Sequence, residues 1–403
     1  MLPPPPPSGL VTRPILLIFI IGSLSAFGPL SLDMYLPAFP DMTGDLSASA
    51  SSIQLTLTSC LIGLAVGQIF AGPLSDVLGR RLPLTIGLAS FAVFSILCMV
   101  APSVEVLIVL RFLQGMSGAA GIVLARAVVR DLYSGPALAQ FFSLVMMVNG
   151  MAPILAPIIG GQLLRFTTWH GVFAVLALFS VVLLTAVLIW LPETLPPERR
   201  QSSGIAPMIA SFKVLLTDRL FIGYGLSAGF AFGAMFAYIA GSSFVIQNIY
   251  DVSPQSYSLM FGANALGIVT MAQINARLVP RVGPRRMMTV GLIGSATGGL
   301  SLLTVVLLDV GLIGILGALF VMVSSIGFIA PNTAALAMAN YPNSAGAASA
   351  LIGLLQFGIG GLVAPLAGIG GDDTALPMAI LIASLGVSSL VISRILTRLP
   401  EPA

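Results

Sequence analysis

The sequence predicts an all-α membrane protein with twelve transmembrane helices in two six-helix halves. Hydrophobic residues make up 57% of the 403 residues and charged residues only 8%, against about 45–50% and about 25% in a soluble domain. So few charges cannot cover the surface of a soluble fold. Twelve apolar stretches are each long enough to cross a bilayer, which takes about 20 residues. The basic residues fall almost entirely on one side of these stretches.

The composition also excludes several classes of protein. The net charge of +3 gives no sign of the basic patch of a nucleic-acid binder. Cys60 and Cys98 lie in apolar runs, which argues against a disulfide framework. The single histidine, His170, argues against a metal centre. The sequence has no P-loop motif, so ATP is not the expected energy source. We therefore expect no metal and no cofactor.

The predicted elements follow in chain order. Residues 1–13 are rich in proline and are predicted to form a disordered cytoplasmic tail. They are not a signal peptide, because the apolar stretch after them is too long and no cleavage site follows it. A second cytoplasmic tail is predicted at 398–403. The twelve spans are predicted at 14–37, 50–73, 82–101, 104–129, 137–164, 169–191, 217–246, 255–279, 287–308, 311–336, 344–369 and 375–397.

Arginine and lysine predict the orientation of these spans. All 17 basic residues except Arg111, Arg126 and Arg165 fall on the side of the N-terminus when twelve spans are counted. Because basic residues favour cytoplasmic loops, we expect both termini in the cytoplasm. Arg126 and Arg130 lie one helical turn apart near the end of the fourth span, and we expect them to reach the cytoplasmic interface.

A polar linker at 192–216 divides the spans into two halves, at 14–191 and 217–397. The two halves share a short internal repeat, which supports a duplicated architecture. At a constant offset of 204 positions, Leu74, Gly79 and Arg81 match Leu278, Gly283 and Arg285. Two homologous halves with a substrate path between them are typical of secondary transporters.

Several stretches resemble the signatures of the major facilitator superfamily. The turn GPLSDVLGRR at 72–81 resembles its loop between the second and third helices, and RFLQG at 111–115 resembles its second motif. The stretch APILAPIIGG at 152–161 resembles its antiporter motif. Three further stretches are similar to the bicyclomycin/chloramphenicol resistance (Bcr/CflA) branch of drug:proton antiporters: DMYLPA at 33–38, residues 126–133, and VSPQ at 252–255 with FGANAL at 261–266.

The resemblance implies a monomeric antiporter in the bacterial inner membrane, driven by the proton gradient. Its substrates would be small amphipathic drugs, such as chloramphenicol- or bicyclomycin-like compounds, exported by alternating access. The alternative within transport is a proton-coupled exporter of a metabolite such as a sugar, amino acid or siderophore. An enzyme is not expected, because the membrane contains no paired carboxylates and the single histidine is interfacial. A channel is disfavoured by the repeat and the antiporter motif.

Two charged residues at membrane depth are the candidates for proton coupling. Asp33 lies in the outer part of the first span, and Arg111 lies at a comparable depth in the fourth. An ionisable residue inside the membrane is costly and marks a functional site by default. Arg111 could pair with Asp33 or with a substrate. The alternatives are a helix-end aspartate with ordinary titration and an arginine that clamps helices by donating to backbone carbonyls.

The turn at 72–81 is predicted to latch the two halves together. We expect its glycines to let the backbone bend sharply. Asp76 is expected to face the positive N-terminal end of the eleventh span, near Asn343 and Ser344. Arg80 is expected to pair with Asp131. The alternative is a plain positive-inside anchor. The latch candidates are Gly72, Asp76, Gly79, Arg80, Arg130 and Asp131.

The remaining candidates are motif residues and polar residues at mid-depth. In the antiporter motif, glycine and proline permit a kink and close helix packing; these are Gly150, Pro153, Pro157, Gly160 and Gly161. Polar side chains at mid-depth can contact a substrate in a central cavity or bridge two helices. These are Tyr35, Gln54, Gln114, Asn149, Tyr238, Asn264, Asn332 and Gln356.

Overall fold

The computed structural model describes residues 14–133, 135–200, 206–339, 341, 345–371 and 373–397. These residues are almost entirely helical, and no strand occurs among them, so the predicted all-α class is confirmed. The two tails predicted at 1–13 and 398–403 lie outside the described residues. Sixteen α-helices are present in the described part of the chain: α1 Pro14–Ser25, α2 Phe27–Asp33, α3 Phe39–Asp45, α4 Ala50–Leu78, α5 Arg81–Met99, α6 Val104–Leu132, α7 Gly135–Leu163, α8 Trp169–Trp190, α9 Ala206–Thr217, α10 Arg219–Phe244, α11 Pro254–Val282, α12 Pro284–Leu307, α13 Leu312–Ser324, α14 Ile326–Met338, α15 Ala345–Val363 and α16 Leu376–Leu396.

These helices account for the twelve predicted spans. Ten of the described helical segments are long and apolar enough to cross a membrane, with α13 and α14 counted as one segment. A broken pair, in which α1 meets α2 and α3 at a bend of 45°, gives one more. The last is α7, a helix of 29 residues with two internal prolines. The protein is therefore a multi-pass membrane protein.

Two local expectations from the sequence were wrong, on the end of the first span and on Gly72. The first span does not end at residue 37, because helical segments continue to the end of α3 at Asp45. The stretch predicted as a cytoplasmic linker, 192–216, contains most of α9, and its role as a linker stays a prediction. Gly72 does not form a sharp bend: it lies inside α4, and only Gly79 in this turn has a positive φ, of 92°.

The described residues group into two compact units. Unit 1 is bounded by Met1–Ala38 and Ser59–Ile205, and unit 2 by Phe39–Thr58 and Ala206–Ala403. The segment 39–58 therefore packs with unit 2, although it lies between two parts of unit 1 in the chain. Within unit 2, Gln54 donates to the Ala240 carbonyl (3.1 Å) and Thr58 to the Gly361 carbonyl (3.0 Å), which ties the start of α4 to α10 and α15.

Local chemistry explains where several helices begin. Ser103 caps α6, and Ser253 caps α11 by accepting from the backbone N–H of Ser256 at 3.3 Å. Pro254 occupies the first turn of α11, where its missing N–H costs nothing. Asp218 caps α10 by accepting from Leu220 N–H at 2.8 Å.

Candidate functional site

Asp33 is a buried carboxylate at a helix break. It is the last residue of α2, and the chain then passes through a turn and the 3₁₀ segment Leu36–Ala38 before α3. The residue is 7% exposed, and it makes no hydrogen bond or ion pair with any residue that the structure describes. A buried carboxylate without a partner is costly while it is charged, and a bound proton removes that cost.

The antiporter-motif helix packs directly against this break. Pro153 and Pro157 lie inside α7, and one turn after Pro157 the helix reaches Gly160. A Cβ atom at Gly160 would overlap the carbonyl of Met34, the residue after Asp33. Only glycine lets the two backbones approach this closely. Of the other motif glycines, Gly150 is half-buried and Gly161 is buried.

Arg111 is fully buried in α6 and is held by uncharged groups. Its Nη2 donates to the Ser31 carbonyl at 2.7 Å, and its Nη1 donates to Gln114 Oε1. The guanidinium carbon lies 4.4 Å from the centre of the Tyr35 ring and 5.5 Å from that of Phe173. These contacts fix the cation through hydrogen bonds and cation–π attraction.

The structure contains no ion pair between Asp33 and Arg111, so the pairing considered from the sequence is not formed. The contact with Ser31 O, two residues before Asp33, is instead the helix clamp that was the alternative. Arg111 Nε has no hydrogen-bond partner. The site therefore combines an unpartnered carboxylate with a cation that is anchored two residues away.

The polar residues predicted at mid-depth in unit 1 take part in this network. Gln114 is fully buried and bridges two helices, because its amide donates to Ser95 Oγ at 2.7 Å while its oxygen accepts from Arg111. Tyr35 is fully buried beneath the guanidinium. The side chain of Asn149 lies outside the described residues.

The polar candidates in unit 2 form two separate pairs. Asn264 donates to the Tyr238 hydroxyl at 2.9 Å, and the Tyr238 ring stacks on Phe261 with centroids 5.3 Å apart. Asn332 donates to Asn275 Oδ1 at 2.6 Å. Each pair joins two helices, as the bridging alternative predicts.

Two further candidates in unit 2 keep unused hydrogen-bonding capacity. Gln54 uses its amide nitrogen but leaves Oε1 without a partner, although the side chain is fully buried. Gln356 is half-buried and has no hydrogen bond to a described residue. Gln54 Oε1 and the Gln356 amide therefore have hydrogen-bonding capacity that no described residue uses.

The turn at 72–81 is organised around Arg80, whose side chain is only 4% exposed. Its Nε donates to Asp131 Oδ2 at 2.8 Å, which is the ion pair predicted from the sequence. Its Nη1 donates to Asp76 Oδ1 at 2.5 Å and to Ser75 Oγ at 2.7 Å. Arg130 is exposed.

The proposed partners of Asp76 at Asn343 and Ser344 lie outside the described residues. The latch between the halves therefore stays a prediction. What the structure provides is a turn in which one buried guanidinium joins the ends of α4 and α6.

Glu193, just after α8, completes the turn. Its carboxylate accepts from the backbone N–H groups of Arg80 (2.8 Å), Arg81 (3.2 Å) and Leu195 (2.9 Å). Burial tends to raise the pKa of Glu193, but these backbone hydrogen bonds and the nearby Arg200 outweigh it and lower the pKa. The carboxylate is therefore held in its charged form.

Comparison with known proteins identifies the family. The model of the Major Facilitator Superfamily matches residues 18–365. The chain belongs to this superfamily. It is 42% identical to YdgK of Bacillus subtilis, an uncharacterised transporter of the same superfamily, over 93% of this chain and 94% of that protein. It is 33% identical to the bicyclomycin resistance protein homolog of Haemophilus influenzae, over 94% of this chain and 96% of that protein.

The superfamily fold is also seen among solved structures. The xylose transporter XylE of E. coli matches with a TM-score of 0.69 at 16% identity, over 93% of this chain and 96% of that one. This chain is thus a membrane transporter of the Major Facilitator Superfamily, and its sequence places it in the Bcr/CflA-like branch. Within the described residues, no cluster of three or more His, Cys, Asp or Glu side chains could hold a metal ion.

In this transporter the sequence predicted Asp33, Arg111, Arg80 and Asp131, but it missed Glu193. The local signal is weak, since Glu193 sits in a proline-rich stretch after α8 that looks like a linker. Its partner Arg80 is 113 positions away in the chain. The only available hint was that both residues are predicted on the same side of the membrane.

Proposed function

We propose that this transporter is a proton-coupled antiporter that exports small amphipathic drugs. Its similarity to a bicyclomycin resistance protein homolog supports drug export as the substrate class. The alternative is a proton-coupled exporter of a metabolite such as a sugar, amino acid or siderophore. Energy comes from the proton gradient, without a cofactor. The protein acts as a monomer in the bacterial inner membrane, with both termini in the cytoplasm.

One observation carries the proton coupling: Asp33 is buried and has no partner among the described residues. The charged and the protonated form of a carboxylate in this position differ greatly in the free energy of burial. Charged, it lacks hydrogen bonds in a medium of low dielectric; protonated, it is neutral. Its place at the break between α2 and the 3₁₀ segment means that a change in its charge acts on a bent backbone, where the chain can move.

Arg111 keeps a fixed positive charge near Asp33, the carboxylate that is proposed to gain and lose a proton. Because Ser31, Gln114 and Tyr35 hold the guanidinium without a carboxylate, its charge is not cancelled within the described part of unit 1. The cation therefore stays in place whether or not Asp33 carries a proton. It attracts the charged carboxylate over a longer distance, which lets protonation of Asp33 alter the attraction between α2 and α6.

The proposed cycle exchanges one proton for one substrate. A proton from outside binds Asp33, the region around the break changes shape, and the substrate is released outward. Release of the proton to the cytoplasm restores the charged carboxylate and resets the site. Residues with unused polar atoms, such as Gln54 and Gln356, are the candidate substrate contacts.

The test is substrate-driven proton movement in proteoliposomes that contain the full chain. We expect Asp33→Asn to abolish drug-induced proton flux, because asparagine cannot exchange a proton. Asp309→Asn is the matched control: Asp309 is exposed and has a φ of 48°, a conformation that asparagine also adopts. Wild-type proton exchange in Asp33→Asn would rule out Asp33 as the proton carrier.

The substrate class is tested by a transport panel in the same proteoliposomes. Chloramphenicol, bicyclomycin, sugars, amino acids and a siderophore are each loaded inside and a pH jump is applied. We expect saturable movement of the drugs only. Saturable movement of a metabolite without any drug would favour the alternative exporter.

A further inference from the structure

A surface pocket of unit 2 lies where α12 begins and α16 ends. Its polar lining is formed by Tyr224, Arg285, Thr289, Ser393, Arg394 and Thr397. Both helices are membrane spans, bounded as Pro284–Leu307 and Leu376–Leu396. A pocket at the ends of two spans lies at the depth of the lipid headgroups.

The arginines of this pocket are not neutralised by any carboxylate that the structure describes. Arg285 Nη2 donates to the Thr397 carbonyl at 2.5 Å, and Arg394 has neither a hydrogen bond nor an ion pair with a described residue. Arg285 and Arg286 lie in the first turn of α12, which contains no acidic residue. These cations lie at the positive N-terminal end of the helix dipole, so the two positive charges repel. A bound anion would relieve this repulsion.

Two hydroxyls on mostly buried residues of the pocket also lack partners among the described residues. Tyr224 and Ser393 are each 8% exposed, and neither hydroxyl has a hydrogen bond to a described residue. Both hydroxyls are therefore free to donate to a ligand oxygen in the pocket.

The backbone at the start of α12 adds further donors. Gly283 precedes the helix without a side-chain cap, and Pro284 has no N–H. The next N–H groups, of Arg285 and Arg286, belong to the first turn, whose amides have no partner inside a helix. Such a helix start favours an anion, and phosphate is a common one.

We propose that this pocket binds a phosphate group, carried by the headgroup of an anionic phospholipid. Arg285 and Arg394 would bind phosphate oxygens through their planar guanidinium groups, and the hydroxyls of Tyr224 and Ser393 would donate to the same oxygens. Basic pockets between spans at the cytoplasmic face are typical lipid headgroup sites. The same chemistry accepts inorganic phosphate, and Glu401 of the chain's own tail, outside the described residues, is a competing anion.

The experiment measures lipid retention by native mass spectrometry of the purified full chain. The protein is mixed with phosphatidylglycerol, with phosphatidylcholine, or with inorganic phosphate. We expect wild type to retain one phosphatidylglycerol in preference to phosphatidylcholine, and Arg285→Gln with Arg394→Gln to bind it about thirtyfold more weakly. Arg394→Gln alone, which breaks no hydrogen bond to a described residue, is expected to weaken binding about fivefold.

The matched control removes two charges outside the pocket. Lys213→Gln with Arg277→Gln, both exposed positions, is expected to retain phosphatidylglycerol as wild type does. Equal binding in the double pocket variant and wild type would overturn the proposal, as would equal retention of the two lipids. Displacement of the lipid by millimolar phosphate would support a phosphate site and would show that the pocket also binds free inorganic phosphate. Binding that appears only in Glu401→Gln would show that the tail occupies the pocket, and would also overturn it.

Discussion

The repeated segment at the start of the third span of each half differs in its charges. In one half its arginines lie beside carboxylates, and in the other no carboxylate that the structure describes pairs with them. In unit 1 the turn before α5 places Arg80 and Arg81 beside three carboxylates, those of Asp76, Asp131 and Glu193. In unit 2 the corresponding segment, 204 positions later, is the start of α12, where Arg285 and Arg286 have no carboxylate partner in the described part.

Both turns share one backbone feature. Gly79 has a φ of 92° and Gly283 a φ of 87°, and a membrane-spanning helix starts within a few residues of each. In both, an arginine donates to a backbone carbonyl: Arg81 to Leu188 and Arg285 to Thr397. The repeat therefore preserves the backbone, while the charges have diverged. One turn is tied within the protein, and the other is left open to an external anion.

Removing Arg80 is expected to have the largest effect. Arg80→Met leaves Asp131, which is 13% exposed, without its cation, and breaking a pair of this kind costs about 3 kcal/mol of unfolding free energy. Arg285→Met removes only an exposed guanidinium with one hydrogen bond, at about 1 kcal/mol. The measurement is chemical denaturation of the purified protein in detergent micelles. Equal losses would show that the two turns are electrostatically alike.

The second comparison is between alanine substitutions at Gly79 and at Gly283. Alanine at either position is strained by about 1–2 kcal/mol, because the φ is positive. A Cβ at Gly79 would also collide with the Glu193 carboxylate, whereas nothing lies within 4 Å of a Cβ at Gly283. We expect Gly79→Ala to lower the melting temperature clearly more than Gly283→Ala. A larger effect at Gly283 would contradict the packing around Gly79.

Glu193→Gln tests the carboxylate that ties the first turn. The side chain is 29% exposed, and we expect a loss of about 1 kcal/mol at neutral pH. Because its pKa is lowered in the folded protein, its contribution is complete above the ordinary glutamate value of about 4.3 and is lost as the pH falls below it. The difference between wild type and Glu193→Gln should therefore shrink in acid. A difference that is constant with pH would mean that charge is not involved.

Asp76→Asn is expected to have the smallest effect on stability. The side chain is 36% exposed, so its pair with Arg80 contributes under about 1 kcal/mol. Expression should be normal while transport slows, because the predicted latch involves this carboxylate. Exchange measured in proteoliposomes at equal protein content checks the rate. A wild-type exchange rate in Asp76→Asn would show that this carboxylate is not part of a latch.

The spans and the Arg80–Asp131 pair could be predicted because they follow from local rules. Apolar length marks a span, and a basic and an acidic residue at neighbouring span ends on one side can meet. The break after Asp33 could not be predicted in this way. The sequence also did not show the close approach of Gly160 to Met34 at this break, a contact between distant parts of the chain.

Polar residues inside the spans were ambiguous for a related reason. Gln114 and Asn332 have the residue type and depth of cavity residues, yet each donates to a side chain on a neighbouring helix. A sequence shows that a polar group lies at depth, but not whether another helix already satisfies it. Asp33 differs because it has no such partner among the described residues.

The proposed exchange of a single proton at Asp33 also has an electrical consequence. If one proton enters for each neutral drug that leaves, every cycle carries one positive charge into the cell. Membrane voltage then drives export together with the pH difference, at about 2.3 kcal/mol for each charge per 100 mV. A monovalent cationic drug would cancel that current, because its own charge leaves as the proton enters. The same transporter would therefore generate current with one class of drug and be electrically silent with another.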